Sequence, residues 1–250
     1  MKKIIPHLSY LLLILFLIHC KTFSPTPLRK EFHKEMDLVK NSCIYIENVN
    51  GDLEITGWKK DKIEITAIKM GTGSQLRQTD IDINKKDNNL RIKALFPRAD
   101  ISEVYVDFEL RVPEEIQIKE IKIEKGDLST HQIYGELRAE IQEGNINLED
   151  FSGICEVTTD EGDISAKIPE SKNSDNFSFK TTKGDILIHL PPELSAQIAA
   201  ETRLGVITSD FFPSDKKETP LKSLKETFGK GKAAILIKTW NGNIRIKKIQ

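Results

Sequence analysis

Acidic and amide side chains recur at the turns of a repeated sequence, and they are the residues best suited to chemistry. Asp127, Asn145, Asp163 and Asp185 each follow a glycine, in the segments KGDL, EGNI, EGDI and KGDI. If the repeats stack in register, these side chains form a row along one edge, about 4.8 Å apart. Carboxylates along a groove can cleave glycosides, one acting as acid and another as base or nucleophile. A carbohydrate-active enzyme is therefore one hypothesis.

A structural explanation accounts for the same residues, and we favour it. Asp and Asn after a glycine suit a tight turn, because their short side chains hydrogen-bond to nearby backbone groups. Lys125 and Lys183 lie beside two of these glycines, where their charges neutralise part of the row. The sequence therefore predicts turn residues, and the protein is not expected to be an enzyme.

Other catalytic and metal-binding patterns do not occur in the sequence. It contains no G-x-S-x-G, H-E-x-x-H or C-x-x-C motif. We expect His33, His131 and His189 to be solvated surface side chains. Calcium-binding nonapeptide repeats need several glycines and an aspartate in each repeat, whereas each repeat here carries one glycine. We therefore predict no catalytic residue, no metal site and no cofactor.

Two tryptophans are candidates for a binding surface. Trp58 and Trp240 each lie beside a glycine turn. An exposed indole at such a place would stack on a sugar or contact a protein. We expect both rings instead to cover the ends of the apolar core, because large aromatic side chains stabilise mainly through burial.

Cys20 is a candidate site of lipid attachment. Lys2 and Lys3 precede an apolar run over residues 8–18, which is too short for the roughly 20 residues of a membrane-spanning helix. The run ends in LIHC, which resembles a bacterial lipobox, in which cleavage leaves the cysteine as the first residue and carrying lipid. His19 departs from the small residue usual at that position. An ordinary secretory signal with an incidental cysteine is the alternative.

The sequence divides into three segments. Residues 1–20 are the predicted lipoprotein signal peptide, residues 21–41 a tether, and residues 42–248 a single domain. The tether contains KTFSPTPLRKEFHKE, a polar stretch interrupted by prolines, as is typical of a linker between an anchor and a folded domain.

The composition is that of a globular protein. Of the 250 residues, 30% are charged and 38% apolar, and the formal net charge is −1. No basic block stands out, so nucleic acid is not an expected partner. Beyond Cys20 the cysteines are Cys43 and Cys155. Export would permit a disulfide between them, and two buried free thiols are the alternative.

Glycines mark a repeat in the middle of the chain. They fall every nine residues, at Gly126, Gly135, Gly144, Gly153 and Gly162. Apolar residues follow each glycine at alternate positions, which is the pattern of a strand with one buried face. Two kinds of glycine segment alternate, so the full repeat has about 18 residues. The inward positions include Ile146, Leu148, Ile164, Ile186 and Ile188.

This pattern predicts an all-β fold, and two architectures satisfy it. In a β-solenoid, each coil of about 18 residues contributes one strand to each of two stacked sheets and turns at Gly-Asp or Gly-Asn corners. In an antiparallel sandwich or meander, each glycine closes a hairpin. We favour the solenoid, because stacking gives similar coils the same neighbours.

The order of the motifs resembles a bacterial family. The motifs are NGDLEITGWKKDKIEI, FELRVPEEIQIKEIKIEKGDLS, the GDI and GNI repeats, and the closing FGKGKAAILIKTWNGNIRIKK. Together, over residues 42–248, they resemble the bacterial "putative adhesin" domains of unknown function. The resemblance implies a β-solenoid on an exported or lipid-anchored protein, and it implies fold and location more firmly than activity.

The preferred hypothesis is a non-enzymatic, lipid-anchored protein of the cell envelope, at the outer membrane, in the periplasm or on the cell surface. It contacts the membrane through the lipid on Cys20. Its solenoid serves adhesion to an envelope or host protein or glycan, or it serves envelope structure. The alternative is the carbohydrate-active enzyme described above.

Overall fold

The computed structural model describes residues 27–38, 42–96, 103–169, 175–211 and 222–249. These segments contain eighteen strands and one short helix. In chain order the elements are β1 (Leu28–Asp37), β2 (Cys43–Asn50), β3 (Leu53–Trp58), β4 (Lys62–Gly71), α1 (Gly73–Gln78), β5 (Asp80–Lys86), β6 (Asn89–Leu95), β7 (Tyr105–Pro113), β8 (Gln117–Lys125), β9 (Leu128–Glu143), β10 (Ile146–Glu161), β11 (Ile164–Lys167), β12 (Asn176–Lys183), β13 (Ile186–Leu190), β14 (Ala196–Thr202), β15 (Ile207–Ser209), β16 (Ser223–Thr227), β17 (Ala233–Asn241) and β18 (Ile244–Lys248).

The strands form two stacks that enclose one apolar core. Face A runs in the order β5, β6, β2, β8, β9, β10, β12, β17, β14 and β16. Face B runs in the order β1, β4, β7, β3, β9, β10, β11, β13, β18 and β15. Strands β9 and β10 belong to both faces, and each contains one residue other than glycine with a positive φ, Gln132 in β9 and Asp150 in β10.

Alternation of apolar and polar residues explains why each strand has an inner side. In β2, for example, every second residue is buried and the residues between them are half-buried. The predicted core positions are confirmed, since all are at most 1% exposed: Ile146, Leu148, Ile164, Ile186 and Ile188. Burial of this apolar row on every coil is the main force that holds the two faces together.

The pairing pattern confirms the solenoid. Leu128, Ile146 and Ile164 are register partners in three successive parallel strands of face B, and the coils between them have 18 residues. Antiparallel pairs are confined to the ends of the two faces, between β1, β4 and β7, between β5 and β6, and between β14 and β16. Within the described residues, the repeat is therefore not an antiparallel meander.

The coils do not stack in chain order. The coil β2–β3 lies between the coil β6–β7 and the coil β8–β9. The coil β17–β18 lies between β12–β13 and β14–β15. Among the described residues, the first and last coils are therefore internal, and each hydrogen-bonds to neighbours on both sides. This arrangement leaves other strands at the exposed edges, where short or antiparallel strands end the sheets.

The tether interpretation is wrong for residues 28–37. These residues form β1, which pairs antiparallel with β4 along its whole length. Phe32 and Met36 pack against the core from this strand. Strand β4 would otherwise expose a row of unpaired backbone groups, and the alternating apolar residues of β1 suit that edge.

The corner glycines allow close approach between coils. Gly144 has a φ of 154°, and a Cβ atom there would lie 2.0 Å from the carbonyl oxygen of Gly126 in the preceding coil. Gly135, at the other kind of corner, has no such φ, yet its Cβ would lie 2.1 Å from the carbonyl oxygen of Ile116. A positive φ thus explains the glycine at some corners, whereas close backbone contact between coils explains the glycine at both kinds of corner.

Both cysteines in the described residues are free thiols. The Sγ of Cys43 donates to the side-chain oxygen of Gln117, 3.8 Å away. Cys155 is buried in the core, and this burial raises the pKa of its thiol far above the ordinary value. The alternative of a disulfide between them is therefore not realised in this structure.

Candidate functional site

The predicted row of acidic and amide side chains exists, and it is longer than the sequence indicated. In each step, the side-chain oxygen of one coil accepts the backbone N–H of the equivalent residue in the next coil, at 2.7–3.1 Å. We call this row the corner ladder, and its members in spatial order are Asp107, Asp52, Asp127, Asn145, Asp163, Asp185 and Asn243.

The corner ladder uses its carboxylates as hydrogen-bond acceptors between coils. Asp127 Oδ1 accepts the backbone N–H of Asn145 at 2.7 Å, and Asn145 Oδ1 in turn accepts that of Asp163 at 2.9 Å. An amide oxygen thus accepts the same hydrogen bond as a carboxylate oxygen, which explains why both Asp and Asn occur at this position. Hydrogen bonds of this kind fix the register of one coil on the next.

Two carboxyl groups of the ladder have shifted pKa values, in opposite directions. Burial raises the pKa of Asp107, against the lowering effect of the N–H of Asp52. Burial also acts to raise the pKa of Asp185, but hydrogen bonds from Asn243 and the charge and hydrogen bond of Arg245 outweigh it and lower that pKa. Five coil spacings separate the two groups, about 24 Å. Glycosidases place their two carboxyl groups within about 10 Å of each other, so this pair does not suit that reaction.

The three histidines that were expected to be surface side chains, His33, His131 and His189, lie apart on face B. His131 is exposed, 3.8 Å from Glu149, while Nδ1 of His33 lies 3.3 Å from the hydroxyl of Thr66. His189 is half-buried on β13. Over the described residues, no group of three or more His, Cys, Asp or Glu side chains has an arrangement that could hold a metal ion.

Trp58 and Trp240 differ in exposure, and Trp240 contradicts the expectation that both rings cover the ends of the apolar core. Trp58 is half-buried, and its indole N–H donates to the carbonyl oxygen of Lys62 at 2.8 Å. Trp240 is 52% exposed on the outer side of face A and does not cover the core. The guanidinium of Arg203 lies over its ring, 4.0 Å from the centroid. The reason is strand parity, since the buried positions of β17 are the alternate residues Ala233, Ile235, Ile237 and Thr239.

A groove runs along the outer side of face A beside Trp240. It has a volume of about 750 Å³ and crosses the neighbouring strands β10, β12, β17, β14 and β16. Its lining includes four cationic side chains and one acidic side chain, which are Lys180, Arg203, Lys222, Lys238 and Glu201. We call this surface the Trp240 groove.

Nearly the whole solenoid corresponds to a known protein family. The profile of the Toastrack DUF4097 family matches residues 35–247, in agreement with a solenoid that contains nearly every described strand. The chain belongs to this family. Among curated proteins, none matches this Toastrack chain.

Several solved structures are similar to the Toastrack chain, and one from Clostridium sporogenes shares its fold. A "putative cell adhesion protein" from Clostridium sporogenes is 18% identical, with a TM-score of 0.55 over 89% of this chain and 100% of that one. A "putative adhesin" from Bacteroides fragilis is 14% identical, with a TM-score of 0.41 over 88% and 97% of the two chains. A "putative lipid binding protein" from Parabacteroides distasonis is 9% identical, with a TM-score of 0.40 over 88% and 97%.

Of the site residues predicted for this Toastrack chain, some lie together in the structure and one lies outside the described residues. The structure brings together Asp127, Asn145, Asp163 and Asp185, while Cys20 lies outside the described residues. Within those residues, no helix is both long enough and apolar enough to cross a membrane.

Sequence reasoning missed the Trp240 groove, because its walls come from strands that the stacking order brings together. The outward parity of Trp240 in AAILIKTWN was the one available signal.

Proposed function

We propose that this Toastrack protein is exported, is held in the cell envelope by lipid on Cys20, and uses its solenoid to bind a partner without catalysing a reaction. The observation that carries the non-enzymatic part is the corner ladder. Its acidic side chains are occupied in joining coils, as the hydrogen bond from the N–H of Asp185 to Asp163 at 2.7 Å illustrates. The carboxylate row was the only feature that favoured an enzyme, and its structural use accounts for it.

The similarity in fold supports a binding role. The Clostridium sporogenes structure, with a TM-score above 0.5, is described as that of a "putative cell adhesion protein". Stacked coils produce long, regular surfaces, and proteins of this kind use such surfaces for recognition. Adhesion to an envelope or host component is the function that agrees with both points.

The position of β1 agrees with attachment through Cys20. Seven residues, 21–27, separate Cys20 from the start of β1 at Leu28. Strand β1 is the first of the ten strands of face B, and β15 is the last. With about 4.8 Å between strands, these two edges are about 43 Å apart. An anchored molecule would therefore be held by one end, with its other end directed away from the attachment point.

Metabolic labelling with a fatty-acid analogue tests the anchor. We expect label on the parent protein and none on Cys20→Ser, because the thiol of Cys20 is the proposed acceptor and stable anchoring needs more than one acyl chain. Cys43→Ser is the matched control and should be labelled like the parent. An unlabelled parent, or equal labelling of Cys20→Ser, would place the protein in the secreted, unlipidated class.

Crosslinking in intact cells tests the binding role. A crosslinked partner recovered with the parent protein, and absent from cells that lack it, is the expected result. Turnover of a glycan by the purified protein, lost in Asp127→Asn, would favour the enzyme hypothesis instead, because this substitution preserves the hydrogen bond to the next coil and removes only the acid.

A further inference from the structure

We propose that the Trp240 groove is a binding site for an acidic polysaccharide. This inference rests on the proposed binding function and names the chemical class of its partner. It depends on four properties of the groove: an exposed aromatic ring, an excess of positive charge, an elongated shape and its place in the solenoid.

The indole of Trp240 offers a stacking surface that is already positioned. More than half of its surface is exposed, yet the guanidinium of Arg203 lies 4.0 Å from the ring centre and restrains the ring. Leu204 is 60% exposed beside it, and the N–H of Leu204 donates to the carbonyl oxygen of Trp240 at 2.9 Å. These two exposed side chains offer apolar surface to a ligand, and the C–H face of a sugar ring can stack on the indole.

The charges of the groove complement an anion. Four of its lining side chains are cationic and Glu201 alone is acidic. Lys238 pairs with Glu201 at 3.3 Å, and Lys180 pairs with Glu156 at 3.4 Å. All of these groups are well exposed, and exposed ion pairs are weak. The two lysines are thus available to turn toward carboxylate or sulfate groups of a ligand.

The shape of the groove suits a linear polymer whose recognition comes from side chains. It crosses five neighbouring strands, which corresponds to about 19 Å along the solenoid axis. The backbone groups of β12 and β17 at its floor already pair with their neighbouring strands. An extended peptide that binds by strand addition would need free backbone partners. A polysaccharide needs hydroxyl, cationic and aromatic side chains, and the groove presents Thr158 and Thr182 among its charges.

The location of the groove favours a polymer over the anchoring membrane. Strands β14 and β16 end face A, whereas β1 begins face B at the opposite end of the stack. A chain attached through residues that precede β1 would therefore hold the Trp240 groove away from its own membrane.

Binding of the full chain, purified in a non-ionic detergent, to five probes tests the proposal. The probes are polygalacturonate and dextran sulfate as acidic polysaccharides, neutral dextran, poly-L-glutamate, and vesicles of phosphatidylglycerol. We expect binding to at least one acidic polysaccharide and weaker binding to the other probes. Trp240→Ala should lower that affinity about tenfold. Lys238→Ala should lower the affinity and its dependence on salt.

Two control variants are matched to these substitutions. Tyr105→Ala removes another exposed aromatic ring, from β7, and Lys93→Ala removes a lysine that is paired with Glu47 as Lys238 is paired with Glu201. Both should bind like the parent. Thermal unfolding midpoints equal to that of the parent establish that each variant is folded, as expected for exposed side chains.

Several outcomes would overturn the proposal. They are the absence of binding to both acidic polysaccharides, equal or stronger binding to poly-L-glutamate or to the vesicles, and an unchanged affinity in Trp240→Ala. Fatty-acid labelling of Cys20 is independent of these measurements. Labelling without polysaccharide binding would reject the groove alone, and binding without labelling would reject the anchor alone.

Discussion

Position 144 requires glycine for two reasons, and both concern the Cβ atom that any other residue would have there. The φ of 154° strains any residue with a Cβ, and the carbonyl oxygen of Gly126 occupies the place where that Cβ would lie. The same contact recurs between Gly162 and Gly144, at 2.0 Å. Since backbone atoms form both sides of the contact, a side chain can be accommodated only by separating two coils.

Gly144→Val is therefore expected to lower the free energy of unfolding by more than about 1 kcal/mol. Urea unfolding followed by circular dichroism measures the change. Gly73→Ala is a suitable control, because Gly73 starts α1 with an ordinary φ and a Cβ there would make only contacts of 3.4 Å or longer. Equal stability of Gly144→Val and the parent would mean that the corner glycine is present for another reason.

At the scale of the element, a short strand is stabilised by its pairing partners on both sides. Strand β11 has only four residues, yet it pairs with β10 on one side and with β13 on the other. Ile164 is 1% exposed in this strand and is the register partner of both Ile146 and Ile186. A short strand of this kind has little stability of its own and depends on its neighbours for it.

Ile164→Asp should prevent folding, because it places a carboxylate without a partner between the two faces. Circular dichroism and thermal unfolding measure the loss. Ser165→Asp is the matched control: it adds the same group to the next residue, which points outward and is half-buried, and it should leave a cooperative transition. A folded Ile164→Asp protein as heat-resistant as the parent would show that the register described here is wrong.

The one helix of the described residues, α1, was not predicted from the sequence. The helix α1 begins after Thr72, whose hydroxyl accepts the N–H of Gln75, while the side chain of Gln75 accepts the N–H of Thr72. This capping box was visible in the sequence as T-G-S-Q. The helix has six residues, too few for apolar periodicity to appear, so only its cap could have revealed it.

At the scale of the whole molecule, the position of the last coil is the main consequence of the fold. Chain ends usually fray because they lack neighbours. Here β17 lies between β12 and β14, and β18 lies between β13 and β15, so the last described coil is enclosed on both sides.

Hydrogen exchange should reveal this enclosure. We expect the amides of β17 and β18 to exchange at least about a hundredfold more slowly than those of β16, which has a single antiparallel neighbour in the described residues. Strand β15, at the edge of face B, serves as a second fast-exchanging reference. Exchange of β17 and β18 as fast as that of β16 would contradict the stacking order.

The sequence by itself determined the features that depend on neighbouring residues along the chain. The apolar residues at alternate positions defined the strands and their inner sides, and the Gly-Asp and Gly-Asn pairs defined the corners. Because register partners in stacked coils are equivalent residues, the row of Asp127, Asn145 and Asp163 could be predicted from the 18-residue spacing, and Asp185 from its Gly-Asp pair.

Only the tertiary structure decided which coil lies on which. Every coil presents the same inward apolar row and the same corner, so local pattern does not distinguish one stacking order from another. The stacking order depends on contacts between distant parts of the chain, which place β2–β3 and β17–β18 inside the stack. Contacts of the same kind pair residues 28–37 with β4, so that they form a strand where the sequence predicted a tether. The same contacts brought Lys180, Lys238 and Arg203 to one side of Trp240, since their strands are neighbours in space and not in sequence.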